Sequence, residues 1–172
     1  MFMTLAPLLQ ASLAIQIHTL SAILAFVLGA LVLFRRKGDV LHRLGGRVWA
    51  SLMLLVCVSS MFIHAIQVVG IWSPIHLLSV GTTWFLYKGI VAARARRIHE
   101  HRTTMKGLYL GALIIAGFFT FMPGRIMYTV FFGGPNPWVG VAAAAAIVAV
   151  VCALAAKMAL ETFEARGRAT AR

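Results

Sequence analysis

A chain of 172 residues that is 61% hydrophobic, only 12% charged and net +12 is not an ordinary soluble domain, in which about a quarter of the residues are charged. Its mean hydropathy of +0.91 calls for lipid as the solvent, and several apolar runs reach the roughly 20 residues that span a bilayer. The positive charge does not describe a nucleic-acid binder, because it is segregated. Arg35, Arg36, Lys37, Arg43 and Arg47 lie in one loop, Arg94, Arg96, Arg97, Arg102 and Lys106 in another, and Lys157, Arg166, Arg168 and Arg172 in the tail. Basic residues in alternate loops are the positive-inside pattern, and such loops hold anionic headgroups.

The N-terminal stretch MFMTLAPLLQ has no basic segment and no small-residue cleavage site, so the first apolar run reads as a retained helix. That helix runs from about residue 11 to 34 and stops at Arg35-Arg36-Lys37. The second runs from about 48 to 69, and a turn with Trp72 as interface anchor follows. The third runs from about 75 to 93. The RARRIHEHR stretch forms the next loop, and the fourth helix runs from about 105 to 122 into Pro123-Gly124-Arg125. A segment with GGPNPW breaks the chain. A fifth helix, about 139 to 160, begins with the small residues Ala142 to Ala146, which permit close helix approach. The expected fold class is all-α: one integral-membrane domain over 1–172, a polytopic bundle with a four-helix core and a peripheral fifth helix. The basic loops place the C-terminus in the cytoplasm and the N-terminus outside.

Spacings of three and four collect residues on one helix face. On the first helix that face holds Ala14, His18, Ser21, Ala25 and Gly29, on the second Met53, Cys57, Ser60 and His64, and on the third His76, Ser79, Thr83 and Tyr87. Each face is a stripe of small or soft residues with a histidine towards its outer end. The stripe suits either close packing with histidines bonded across helices or a flat ligand. Cys57 and Cys152 fall in mid-run and read as small hydrophobes. Lys88 reads as a snorkelling side chain.

The four acids, Asp39, Glu100, Glu161 and Glu164, all fall outside the expected spans. Carboxylate-based proton pumping and hard-cation transport are therefore disfavoured. Imidazole remains, and it suits Zn, Cu and haem iron. His18, His64 and His76 form a candidate outer metal site for Zn or Cu, with Met61 as a soft donor nearby. The alternative is haem b between helices. His18 with His76 would bridge one diagonal of the bundle near its outer face. His42 with His101 would bridge the other near its inner face. Arg125 outside, and Arg47 or Lys106 inside, would pair with propionates. His64 has no place in that scheme except as an alternative ligand or a quinol-site base. His42, His99 and His101 are equally compatible with a headgroup surface.

KGDVLHRLGGRVW, SPIHLLSV and HRTTMKGLYLGALIIAGFFTFMPGR together resemble a widespread family of small bacterial integral-membrane proteins of unassigned function. The likeness covers roughly residues 15 to 130. It implies a multi-pass bundle in the bacterial inner membrane and supplies no activity. A broader architectural likeness is to four-helix dihaem b-type cytochromes. Three functions follow as expectations. The first is quinol-linked transmembrane electron transfer through b-type haem. The second is a non-haem Zn or Cu protein, a transporter or sensor component. The third is a cofactor-free accessory subunit whose basic loops dock a membrane-complex partner or a second copy of the chain.

Overall fold

The computed structural model describes residues 4–64 and 73–132, with the isolated positions 138, 142, 145, 146 and 149. The described residues form helices and no strand. The chain divides into two units: Leu5–Leu113, and Met1–Thr4 with Ile114–Arg172. The fifth expected helix, the Trp72 turn, Cys152 and the basic tail lie outside the described residues.

The larger unit begins with a single turn, α1 (Ala6–Leu9), tied to the next helix by the Gln16 side-chain amide, which donates to the Leu9 and Ala11 carbonyls. Helix α2 (Leu13–Phe34) buries Ser21, Ala25 and Gly29, a stripe at four-residue spacing. It ends where Lys37 folds its ammonium back onto the carbonyls of Leu33 and Arg35; a cation on the last carbonyls favours a helix C-terminus. Gly38 turns the chain at φ +86. Asp39 then caps α3 (Val40–Ser60), accepting the His42 N–H at 2.7 Å while Arg35 pairs with its other oxygen at 2.8 Å. The second helix therefore starts eight residues before the expected 48, because the cap lies inside the basic stretch. It also stops before the expected 69. The Ser59 and Ser60 hydroxyls donate back to carbonyls of Leu55 and Cys57. The N–H groups of Met61, Phe62 and Ile63 then bond three residues back in a tightening turn.

Helix α4 (Pro74–Arg94) has proline in its first turn and Ser73 as its N-cap residue. It ends in a Schellman turn: Arg97 N–H bonds the Ala92 carbonyl at 2.9 Å and Arg96 N–H bonds that of Ala93 at 3.1 Å. Arg96 occupies the left-handed position, φ 57, where glycine is usual. Helix α5 (Ile98–Leu108) begins seven residues earlier than expected, so the IHEHR stretch is helical rather than a loop. Glu, His, Arg, Met and Lys sustain a helix once the preceding one has closed. It continues through a π-helical stretch, Tyr109–Ile115, into α6 (Ala116–Thr120).

Within the larger unit α2 packs on α3, α3 on α4 and α4 on α5. Contacts run antiparallel: His18 reaches Val56 while Ala25 reaches Trp49, and Ser60 shares a 2.6 Å hydrogen bond with Ser79. Tyr109 closes the unit onto α2. Its hydroxyl donates to the Phe26 carbonyl at 3.1 Å, and its ring stacks on Phe26 with centroids 5.8 Å apart. Trp49 donates to the Ala25 carbonyl at 3.0 Å. A Cβ on Gly29 would lie 2.5 Å from Trp49 Nε1 and 2.7 Å from the Tyr109 ring. Glycine is what lets the two aromatics meet there.

The interior of this unit includes Ser21, Ser59, Ser60, Ser79 and Thr82, whereas Leu20, Ile23, Leu24, Val27 and Leu31 of α2 face outward. Small and hydroxyl residues inside with aliphatics outside is the arrangement of helices packed in lipid. Leu13–Phe34, Val40–Ser60 and Ile98–Thr120 are long and apolar enough to cross a membrane. Pro74–Arg94 is as long, but His76, Ser79, Thr82, Thr83 and Lys88 dilute it.

In the second unit a turn at Gly124, φ +84, joins α6 to a short helix not anticipated from the sequence, α7 (Ile126–Phe132). Phe121 meets Phe131 and Phe132 edge-on, with centroids 5.5 and 6.4 Å away. Arg125 is half-buried at the start of α7, and its backbone carbonyl accepts from Thr129.

Candidate histidine sites at the two ends of the larger unit

One end carries the α2–α3 and α4–α5 connections and most of the described cations; it is the basic end. At the far end α2 begins, α3 stops and α4 starts.

At the far end His18 of α2 sits against α3, with Nδ1 3.1 Å from the Val56 carbonyl and 3.2 Å from Ser59 Oγ. A carbonyl only accepts, so the bond to Val56 assigns the proton to Nδ1 and leaves the lone pair on Nε2. His76 is arranged the other way. It is only 2% exposed, and its Nδ1 accepts the Ser73 N–H at 2.9 Å. It plays the part that Glu or Gln plays in a capping box. The neutral ring therefore carries its proton on Nε2. His64 lies past the end of α3, not within it, and is exposed; its ring is 5.3 Å from that of His76, tilted by 53°. Among the described residues no three His, Cys, Asp or Glu side chains converge as a metal-holding group. His64 and His76 adjoin, and His18 is turned onto α3.

At the basic end His101 lies within α5, and its Nδ1 donates to the Gly89 carbonyl of α4 at 2.9 Å. Its Nε2 therefore carries the lone pair, the state in which a histidine ligates iron or zinc while its other nitrogen is held by a carbonyl. His42, in the first turn of α3, is in electrostatic range of His101 and of Lys37. Its Nδ1 is buried and makes no hydrogen bond of good geometry among the described residues. Burial, and then the charges of Arg102 and Lys106, hold the Lys37 ammonium below its ordinary pKa. The nearby carboxylates are engaged: Asp39 with Arg35, and Glu100 with Arg97 at 3.2 Å. Lys37 thus lies in the field of Arg102 and Lys106, and His42 in that of Lys37 and His101, with Asp39 acting on His42 in the opposite sense.

A family model for predicted membrane proteins (DUF2306) matches residues 15–160. The chain belongs to that family. No curated protein and no solved structure matches it.

In this DUF2306 protein the remaining candidates are dispersed. Arg47 does not share a face with His42. Five residues on, at 100° each, it lies about 140° around α3, beside Val40, Arg43 and Leu44 in a cleft of about 300 Å³. His99 is exposed on α5. Arg125 belongs to the second unit. The stripes of the second and third expected helices do leave space: a groove of about 590 Å³ lies between α3 and α4, lined by Leu54, Cys57, Met61, Ser79, Thr83 and Tyr87 among others. The alternating small and soft residues of the two stripes were its signal, since small side chains on facing helices leave space.

Proposed function

We propose that this chain is a b-type haem protein of the bacterial inner membrane, with its basic end in the cytoplasm, that takes electrons from a membrane quinol. The observation that carries the reading is His101, fixed by its 2.9 Å bond to the Gly89 carbonyl at the end of the unit where His42, Lys37, Arg102 and Lys106 are also grouped. A bare divalent cation is repelled by a cluster of ammonium and guanidinium groups. Haem brings two carboxylates of its own, and Lys37, Arg102 and Lys106 would pair with them. The Gly89 carbonyl holds His101 with its lone pair on Nε2, and His42 would be the second ligand. A haem bound there would supply a one-electron couple; His42 and His101 would ligate it, and the cations would neutralise its propionates. His18, held by Val56 with Nε2 bearing the lone pair, is the corresponding candidate ligand at the far end. The reading keeps the five-span bundle with an outside N-terminus.

The test is an absorbance spectrum and a pyridine-haemochrome assay on protein purified from haem-replete cells. A Soret band that shifts on dithionite reduction, and falls with His101→Ala and His42→Ala, is the expected result. A colourless wild-type preparation would overturn it.

The 5.3 Å separation of the His64 and His76 rings favours a second reading, a Zn or Cu site at the far end. Metal on either nitrogen of His76 requires loss of its bond to Ser73 N–H, so binding there costs about one capping interaction, roughly 1 kcal/mol. Elemental analysis of wild type against His64→Ala separates the two readings: metal that disappears with His64 belongs to the far end.

A further inference from the structure

We infer that Val40, Arg43, Leu44 and Arg47 form a binding cleft for the headgroup of one anionic phospholipid. The four residues follow a spacing of three and four along the first two turns of α3 and so share one face. That face lines an open cleft of about 300 Å³. It is divided by chemistry. Arg43 and Arg47 are exposed cations that take no carboxylate among the described residues, since the ion pairs there join Arg35 to Asp39 and Arg97 to Glu100. Asp39, the acid closest in sequence, is further occupied by the His42 N–H. Val40 and Leu44 are 68% and 53% exposed, an apolar surface left open by the described residues.

Position selects the occupant. The cleft lies at the end of Val40–Ser60, a helix long and apolar enough to cross a membrane, so its first turns fall where headgroups lie. Arg43 and Arg47 are about 6 Å apart along the axis, a separation at which two guanidinium groups share one phosphate through charge-assisted hydrogen bonds. Val40 and Leu44 offer nothing to a free phosphate ion, but they would cover the glycerol and first acyl carbons of a lipid. A zwitterionic lipid brings its own ammonium, which Arg43 and Arg47 would repel. The cleft therefore retains an anionic phospholipid, and does so on the face of α3 away from His42. Failure of this inference leaves the haem reading untouched, and the reverse holds too.

The test is native mass spectrometry of the full chain released from nanodiscs of phosphatidylcholine doped with phosphatidylglycerol. Wild type is expected to retain one phosphatidylglycerol. The double variant R43Q/R47Q is expected to bind it about 10- to 30-fold more weakly, from roughly 1 kcal/mol per basic residue near the surface. A charge-matched control, R36Q/R94Q, is expected to keep it. The variant V40S/L44S, with all its charges, is expected to lose phosphatidylglycerol, while millimolar inorganic phosphate fails to displace the lipid from wild type. Equal retention by R43Q/R47Q and wild type would overturn the proposal. So would equal loss in the control, which means bulk charge alone, or displacement by inorganic phosphate, which means a simple anion site. All six substituted positions are exposed, so folded variants are expected; R43Q alone gives the same comparison at smaller amplitude.

Discussion

At the far end of the larger unit His76 accepts the Ser73 N–H on Nδ1 at 2.9 Å; at the basic end His101 donates Nδ1–H to the Gly89 carbonyl at the same distance. The direction of the bond decides what the other nitrogen is. His76 presents an N–H and serves the helix it sits in. His101 presents a lone pair and is held by the helix next to it. A histidine at a helix start is read as a ligand or as a cap only when its hydrogen-bond partner is known to be a donor or an acceptor. The surroundings reinforce the difference. His64 is the neighbour of His76, whereas His42 and the cations Lys37, Arg102 and Lys106 are grouped around the other end.

The largest effect comes from disturbing the layer between the two ends. Gly29→Ala places a methyl against Trp49 and Tyr109, both anchored by hydrogen bonds to α2 carbonyls. Overpacking of this kind costs about 1–3 kcal/mol. Gly89→Ala is the control at the basic end: its new methyl meets the terminal methyl of Met105, the movable end of a flexible side chain, and lies 3.2 Å from Thr104 Cγ2, a contact relieved by a small shift, so the change in stability is expected to be about 1 kcal/mol or less. Thermal melts in detergent followed by circular dichroism measure both. Equal melting temperatures for the two variants would mean that the aromatic layer does not fix the packing of α2.

Glutamine separates the two histidine roles directly. Its carboxamide oxygen accepts an N-cap N–H, and its nitrogen donates to a carbonyl, but it is a poor haem ligand. His76→Ala is expected to lose about 1 kcal/mol and His76→Gln to recover most of it. His101→Gln is expected to retain the bond to Gly89 and most of the stability while losing bound haem. Were His76→Gln as unstable as His76→Ala, the capping role assigned to His76 would fail.

The sequence carried the class of the molecule because hydropathy and the segregation of Arg and Lys are properties of composition along the chain. Helix ends were less legible. Met61-Phe62-Ile63 continues an apolar run, yet α3 stops at Ser60 because serine hydroxyls and short-range N–H bonds close it, and hydropathy does not register them. Gly38-Asp39 was a readable start signal, a turn followed by an N-cap residue, masked by the basic residues around it. The IHEHR stretch is polar and so resembled a loop, although each of its residues is compatible with a helix. The π-helical stretch leaves no periodic trace in the sequence. Pairing of the histidines depended on these ends: moving the start of α5 back to Ile98 puts His101 one turn inside a helix, within reach of Gly89.

Asp39 gives the ends different acid sensitivity. Its carboxyl is held below the ordinary 3.8 by the Arg35 hydrogen bond first and the His42 N–H second. A lowered folded value means that its stabilisation is complete above about 3.8 and fades as the pH falls through the lower folded value. Asp39→Asn keeps an oxygen for the His42 N–H and removes the charge. It is expected to start slightly less stable at neutral pH and to lose less on acidification. Parallel acid melts of the two proteins would show that Asp39 does not link proton uptake to the basic end.

The smallest effect concerns the turn that delivers His101 to Gly89. Arg96 holds φ 57 at the close of α4, a conformation that costs an L-residue roughly 1–2 kcal/mol and glycine nothing. Glycine in turn loses about 0.5–1 kcal/mol more chain entropy on folding. Arg96→Gly is therefore expected to stabilise by about 0.5 kcal/mol, the difference between the two. Because the Schellman bonds from Arg96 and Arg97 to Ala93 and Ala92 are backbone bonds, they survive the substitution. The register of α5 against α4 then stays as it is, and His101 keeps its bond to Gly89. A destabilised Arg96→Gly would show instead that the arginine side chain, not the backbone turn, holds this corner and with it the orientation of the basic-end histidine.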